Sequence, residues 1–173
     1  MSATAPPLSR RPIDIVFMAF WAINFGFITY MIDIEQIVIP DPAHFTYPMW
    51  PPKFAVDAIH WWARSFDPVI WARAPWYRAT IWIDSLAFGP FYLFAMRAFW
   101  KGGGWIRVPC FVWAGMMIAI VTIILFEEVW GETPTPAPAI VLAANLPWLL
   151  LPFAVIWRMR PEDPFAPVAE ATS

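Results

Sequence analysis

Four stretches of the chain, at about 13–39, 77–100, 105–129 and 138–158, are almost unbroken runs of apolar residues. A helix crossing the hydrocarbon core of a bilayer needs roughly 20 such residues, and each run reaches that length. Lipid offers no hydrogen bonds to a bare backbone, so each run has to be helical. The fold class that follows is an all-α membrane protein with a bundle of four transmembrane helices. Charge content agrees: 14% of the 173 residues are charged, against about 25% in a soluble domain. No basic run suited to nucleic acid is present. Cys110 is the only cysteine, so neither an intrachain disulfide nor a cysteine metal site can form. The first run is too long for a cleaved signal peptide and has no small-residue cleavage site.

Prolines and glycines set the boundaries. Pro12 and Pro40 bracket the first span, "TPTPAP" (133–138) parts the third from the fourth, and "KGGG" (101–104) is a tight turn between the second and third. Pro90, Pro147 and Pro152 fall inside spans, where neighbouring helices can satisfy the carbonyls they free. The chain divides into an N-terminal segment 1–12, a transmembrane domain 13–160 and a Pro- and Ala-rich tail 161–173 expected to be disordered. Arg10, Arg11, Arg97, Lys101, Arg107, Arg158 and Arg160 fall on one side of a four-span bundle. The positive-inside rule makes that side, with both termini, cytoplasmic. A bacterial inner membrane and the endoplasmic reticulum both fit.

The long segment 40–76 is cut by seven prolines and is not a fifth span. Within it, "KFAVDAIHWWARSF" (53–66) has helical periodicity. Asp57, His60 and Arg64 share one face, and Phe54, Ala58, Trp61, Trp62 and Phe66 favour the other. This pattern predicts a short interfacial helix between the first and second spans, with Trp at headgroup depth. The same helix can lid a pocket in the bundle. His44 and His60 read as interfacial polar residues, and no histidine spacing supports a metal.

Polar residues inside the spans carry the functional signal. Asp33 lies six residues before the outer end of the first span, and Asp84 and Asn145 about seven residues after the outer starts of the second and fourth. At about 1.5 Å per residue all three sit roughly 10 Å below the outer surface. Glu127 and Glu128 end the third span near that level. Ionisable groups at such depth normally face the bundle interior and find partners. Thr29, Asp33 and Gln36 share a helix face, whereas Glu35 points away and is expected at the outer interface. Asp14, beside Arg10 and Arg11, reads as a surface residue. If Asp33 and Asp84 meet, two acids in low dielectric share a proton. Such a pair can hydrogen-bond a ligand hydroxyl, hold an amine, or give and take a proton. Aromatic residues on the same spans, Phe88, Trp113 and Trp148 among them, complete a cavity for a large apolar molecule with one polar or cationic group.

The stretches "ITYMID" (28–33), "HWWARSFDP" (60–68), "PWYRATIWID" (75–84), "FWKGGGWIRVP" (99–109), "LFEE" (125–128) and "LPWLLLPF" (146–153) carry a family resemblance, in which the aspartate-proline step, the lysine-glycine turn and the tryptophan-isoleucine-arginine-x-proline start of the third span recur in order, at matching spacing. Over about 13–160 the chain resembles the EXPERA family, whose branches include the emopamil-binding sterol isomerases and the sigma-2 receptors. The sigma-2 branch is the nearer one. The resemblance implies four helices with cytoplasmic termini and a pocket opening to the bilayer that takes sterols and amphiphilic amines. By position it makes Asp33 the acid that pairs with a ligand amine, Asp84 the neighbour that hydrogen-bonds it, and Asp67 a structural aspartate. It implies no cofactor, and it offers a homodimer for which no motif speaks. The isomerase branch carries a histidine where this chain has Thr29. Asp84, Asn145, Trp148 and "FGPFYLF" (88–94) still echo that branch, and Asp33 and Asp84 would be its catalytic acids. The candidate ligand-binding set is therefore Thr29, Asp33, Asp84, Phe88, Trp113, Asn145 and Trp148. A sterol- or isoprenoid-binding protein, a double-bond isomerase or related cyclase, and a membrane scaffold or accessory subunit are the three functions this pattern allows.

Overall fold

A computed structural model of the chain describes residues 5–166, and these are helical with connecting loops. The four spans are α1 (Pro12–Val38), α4 (Pro75–Lys101), α5 (Gly104–Trp130) and α6 (Pro138–Met159). Between the first two lie α2 (Lys53–Ser65) and the short α3 (Pro68–Ala72). Pro stands in the first turn of α1, α3 and α6, where its missing N–H costs nothing. Gly102 closes α4 in the left-handed conformation (φ 70°), and Gly103 N–H donates to Ala98 O at 2.8 Å. A side chain at Gly102 would be strained there, which is why the turn is built of glycine.

α1 packs mainly on α4 and α5 mainly on α6. Outward-facing Val16, Ile23, Leu86, Val112, Ile123 and Leu150 are exposed, as lipid-facing positions should be. The inner half of the bundle is a dense aromatic core. Trp21 meets Phe99 edge-on at 4.8 Å, and Trp113 stacks on Phe91 at 5.4 Å. Each such pair adds about 0.5–1.5 kcal/mol beyond its buried area.

Two spans are widened by π-helical turns, at Asn24–Asp33 in α1 and Asp84–Phe88 in α4. The second has a local cause. Pro90 has no N–H and its ring crowds the carbonyl of Leu86, one turn back, so the turn before it opens. Tyr30 enters the space this creates. Its hydroxyl donates to Ser85 O at 3.1 Å, and a Cβ on Gly89 would lie 2.5 Å from that hydroxyl. Only glycine lets the two helices approach so closely.

Four sequence expectations are corrected. Asp14 is not a surface residue. It is fully buried at the inner end, bonded to Arg11 at 2.8 Å and to Arg158 at 2.8 Å and 3.0 Å. Nor does Glu35 reach the outer interface. It is fully buried, with Arg73 Nη2 at 2.8 Å and 2.9 Å and His60 Nε2 at 2.8 Å. His60 is thus a buried partner rather than an interfacial one. Arg73 also donates to Ile39 O, and these bonds hold its backbone left-handed at φ 49°. The sequence hid this because Arg73 is remote from Glu35 in the chain. The tail is the fourth correction. Residues 161–166 fold back on the inner end, with Phe165 buried between Arg11, Arg158 and Phe99. The remainder of the expected disordered tail, 167–173, lies outside the described residues.

Candidate functional site

Above the aromatic core the helices part around a cavity of about 650 Å³. That is within the roughly 300–1,000 Å³ range of small-molecule sites. α1 contributes Ile28, Met31 and Asp33; α4 contributes Tyr77, Thr80, Asp84 and Phe88; α6 contributes Asn145 and Trp148. α2 lies across the top, with Ala55, Ala58, Ile59 and Trp62 turned to the cavity. Phe27, Phe54 and Trp61 line it and are also exposed, so it opens to the lipid-facing surface. Outside, Lys53 binds Asp57 and the Tyr47 hydroxyl at 2.8 Å each, and Trp50 Nε1 donates to Tyr30 O at 2.6 Å.

Asp33 and Asp84 meet on this cavity. Asp33 ends the widened turn of α1, Asp84 begins that of α4, and their carboxyl groups face each other within hydrogen-bonding reach. Widened turns of this kind recur at functional sites. Asp84 is further held by the Thr29 hydroxyl, which donates to Oδ2, and by Tyr92, whose hydroxyl donates to Oδ1 at 3.2 Å. Asp33 has no such donor among the described residues and is turned to the cavity. The lining holds three carboxyl groups, Asp33, Asp67 and Asp84, and no Lys, Arg or His. An apolar chamber with only negative groups favours a ligand that brings the positive charge or donated proton itself.

Phe88, Asn145 and Trp148 line the cavity with the two acids. Asn145 donates to Val141 O at 2.9 Å, which leaves its side-chain oxygen available. Thr29 does not line the cavity; it acts one layer behind, through Asp84. Trp113 stands apart from the cavity too. Its ring is buried in the aromatic core beneath it, against Trp21, Phe91 and Tyr92. Helical spacing puts Trp113 at the right depth but does not fix which way it turns. Asp67 accepts from Ile70 N–H at 3.3 Å and so caps α3, while also reaching the cavity wall.

Sequence reasoning missed Asn24, whose Oδ1 accepts from Trp148 Nε1 at 2.6 Å. That bond fixes the Trp148 ring edge and turns its apolar body to the cavity. An asparagine in an apolar run was a visible signal. Tyr77 and Thr80 were missed because each sits within a turn or two of the outer end of α4, where polar residues are ordinary.

Comparison with known proteins agrees with this architecture. Residues 54–159, more than half of the chain, match the family described as EBP, EXPERA (EXPanded EBP superfamily). That match takes in Asp67, Asp84, Glu128, Asn145 and Trp148. Sigma intracellular receptor 2 of Xenopus tropicalis is 27% identical over 143 residues, covering 76% of this chain and 79% of that protein. Sigma intracellular receptor 2 of Macaca fascicularis and that of Homo sapiens are each 25% identical over 169 residues, covering 87% of this chain and 88% of those proteins. The chain is a multi-pass membrane protein and belongs to the EXPERA family.

Proposed function

We propose that the protein binds a sterol, isoprenoid or other amphiphilic lipid in the intramembrane cavity, with Asp33 pairing to its amine or accepting from its hydroxyl. One observation carries the reading. A lipid-accessible apolar cavity holds facing carboxyl groups and no cation to neutralise them. Asp84, anchored by Thr29 and Tyr92, holds the shared proton and orients Asp33. Apolar walls contribute affinity through buried area, and Asn145 and Trp148 shape the far side. The family and its sigma-2 relatives support a lipid-binding role. We further assign the arginine-rich end, and with it both termini, to the cytoplasm on the positive-inside rule.

One observation favours a second reading, a double-bond isomerase. Facing carboxyls beside the apolar Trp148 ring could protonate one alkene carbon and remove a proton from its neighbour, with the ring steadying the cation between the steps. Thr29 supplies no base where the isomerase branch has a histidine, so binding ranks first. Native mass spectrometry with lipid extraction tests both, on wild type beside Asp33→Asn. A sterol- or isoprenoid-class molecule held by wild type and lost from Asp33→Asn is the expected result, and turnover of that molecule would select the isomerase. Equal retention of bulk phospholipid alone by both would overturn the proposal.

A further inference from the structure

The cations of the inner end divide into two sets. Arg11, Arg107 and Arg158 turn inward, Arg11 and Arg158 to Asp14, and Arg107 to Met159 O at 2.9 Å and Arg160 O at 3.1 Å. Arg97 and Lys101 of α4 do the opposite. Both are exposed, and neither makes a hydrogen bond or ion pair among the described residues. Helical spacing puts Arg97 in the middle of the outward stripe of α4, with Leu86, Leu93, Phe94 and Trp100, all of them exposed. Ionisable residues within a span normally face the bundle interior. Arg97 faces lipid instead, one turn from the helix end, and Lys101 follows it four residues on, along the same face.

An aromatic wall stands beside these two cations. Trp105, in the first turn of α5, meets Phe94 edge-on with 6.5 Å between ring centroids, and is itself exposed. Its indole lies against the glycine turn, where a Cβ on Gly103 would come within 2.8 Å of Nε1. Gly103 thus seats this ring, a role separate from that of Gly102 in closing α4. Trp105 Nε1 has no acceptor among the described residues. Asp163, the acid beside Gly104, has its Oδ1 engaged by Phe165 N–H at 3.2 Å and pairs with neither cation.

We propose that Arg97, Lys101 and Trp105 form a site for the headgroup of an anionic phospholipid, in the leaflet at the arginine-rich end. The two cations hold the phosphate, Trp105 Nε1 donates to one of its oxygens, and Phe94 and Leu93 carry an acyl chain along α4. The charges are complementary, and long cationic side chains near a helix end keep their apolar stems in hydrocarbon while their heads reach headgroup depth. The site lies on the lipid-facing surface, and none of its residues lines the cavity.

Native mass spectrometry tests it on the full-length, delipidated protein in detergent, titrated with dioleoylphosphatidylglycerol and with dioleoylphosphatidylcholine. The readout is the affinity ratio of the two for the first lipid bound. Wild type should favour phosphatidylglycerol about tenfold. Arg97→Gln combined with Lys101→Gln should bring the ratio to within about twofold of unity. Trp105→Phe keeps the wall, removes the N–H, and should lower the ratio about threefold. Arg10→Gln combined with Arg160→Gln removes two other exposed cations of the same end and should leave the ratio at the wild-type value. A wild-type ratio kept by the Arg97 and Lys101 pair of substitutions would overturn the site. So would an equal fall in the Arg10 and Arg160 pair, which would reduce the effect to diffuse surface charge. Displacement of the bound phosphatidylglycerol by millimolar inorganic phosphate would overturn the lipid assignment in favour of a free anion.

Discussion

The buried acids of this protein fall into two regions that follow opposite rules. At the outer and inner ends, Glu35 and Asp14 are fully buried and each is paired with arginine: Glu35 with Arg73, beside His60, and Asp14 with Arg11 and Arg158. Around the cavity, Asp33 and Asp84 face one another, hydroxyls and apolar wall. Both arrangements carry a desolvation cost. The first offsets it inside the protein and ties elements together: Glu35 of α1 to α2 and the α3–α4 loop, Asp14 of α1 to α6. The second leaves it for something outside the chain to offset. Had the cavity acids been helix glue, the cheaper solution was already in use two residues from Asp33, at Glu35.

The difference can be broken in order of expected effect. Arg73→Met leaves Glu35 buried without its main partner and should cost about 3–5 kcal/mol of stability, the loss seen when one member of a buried pair is removed. Thermal unfolding in detergent measures it, and Glu35→Gln added to Arg73→Met should recover much of the loss. Gly89→Ala pushes a methyl into the Tyr30 hydroxyl and should cost about 1–3 kcal/mol by overpacking. Its melting curve should fall together with amine affinity, because the turn presenting Asp84 is displaced. Trp148→Phe removes the donor to Asn24 and strands its Oδ1, a loss of about 1–3 kcal/mol by the same assay.

The smallest effect belongs to the exposed clip over α2. Lys53 and Tyr47 donate to Asp57 and hold its carboxyl below the usual carboxylate range. A lowered native value means this contribution is present above the ordinary carboxylate value and is lost as pH falls through the lowered one. At pH 7 that contribution is present, but the clip is exposed and screened by solvent, so Asp57→Asn should leave the melting temperature unchanged within error. A marked drop would show that the clip, rather than apolar burial, holds α2 over the cavity.

The spans were legible because length and apolarity alone decide them: the runs read at 13–39 and 138–158 became Pro12–Val38 and Pro138–Met159. Asp33 and Asp84 were legible because both fall at the same depth of two spans, where ionisable groups turn inward and find partners. Glu35 was not. Its face of α1 was read as directed away from the site, and nothing local marks Arg73 as the cation that would fold back to it. Trp113 failed for a related reason, since depth is a sequence property while rotation about a helix axis is set by packing. The widened turns are visible only in hindsight, through Pro90 for α4; for α1 the sequence offers Gly26 but no comparable breaker.

The most direct test is amine binding and stability measured on one preparation of Asp33→Asn beside wild type. If the cavity acids exist for a ligand, removing this charge should cost the fold nothing, and the melting temperature should hold or rise. Affinity for 1-aminododecane should fall about 10–100-fold, the worth of a charged hydrogen bond of roughly 1.5–3 kcal/mol. A melting temperature that drops steeply while amine affinity stays at the wild-type value would contradict the account and class Asp33 with Glu35 and Asp14, as an acid that holds helices together.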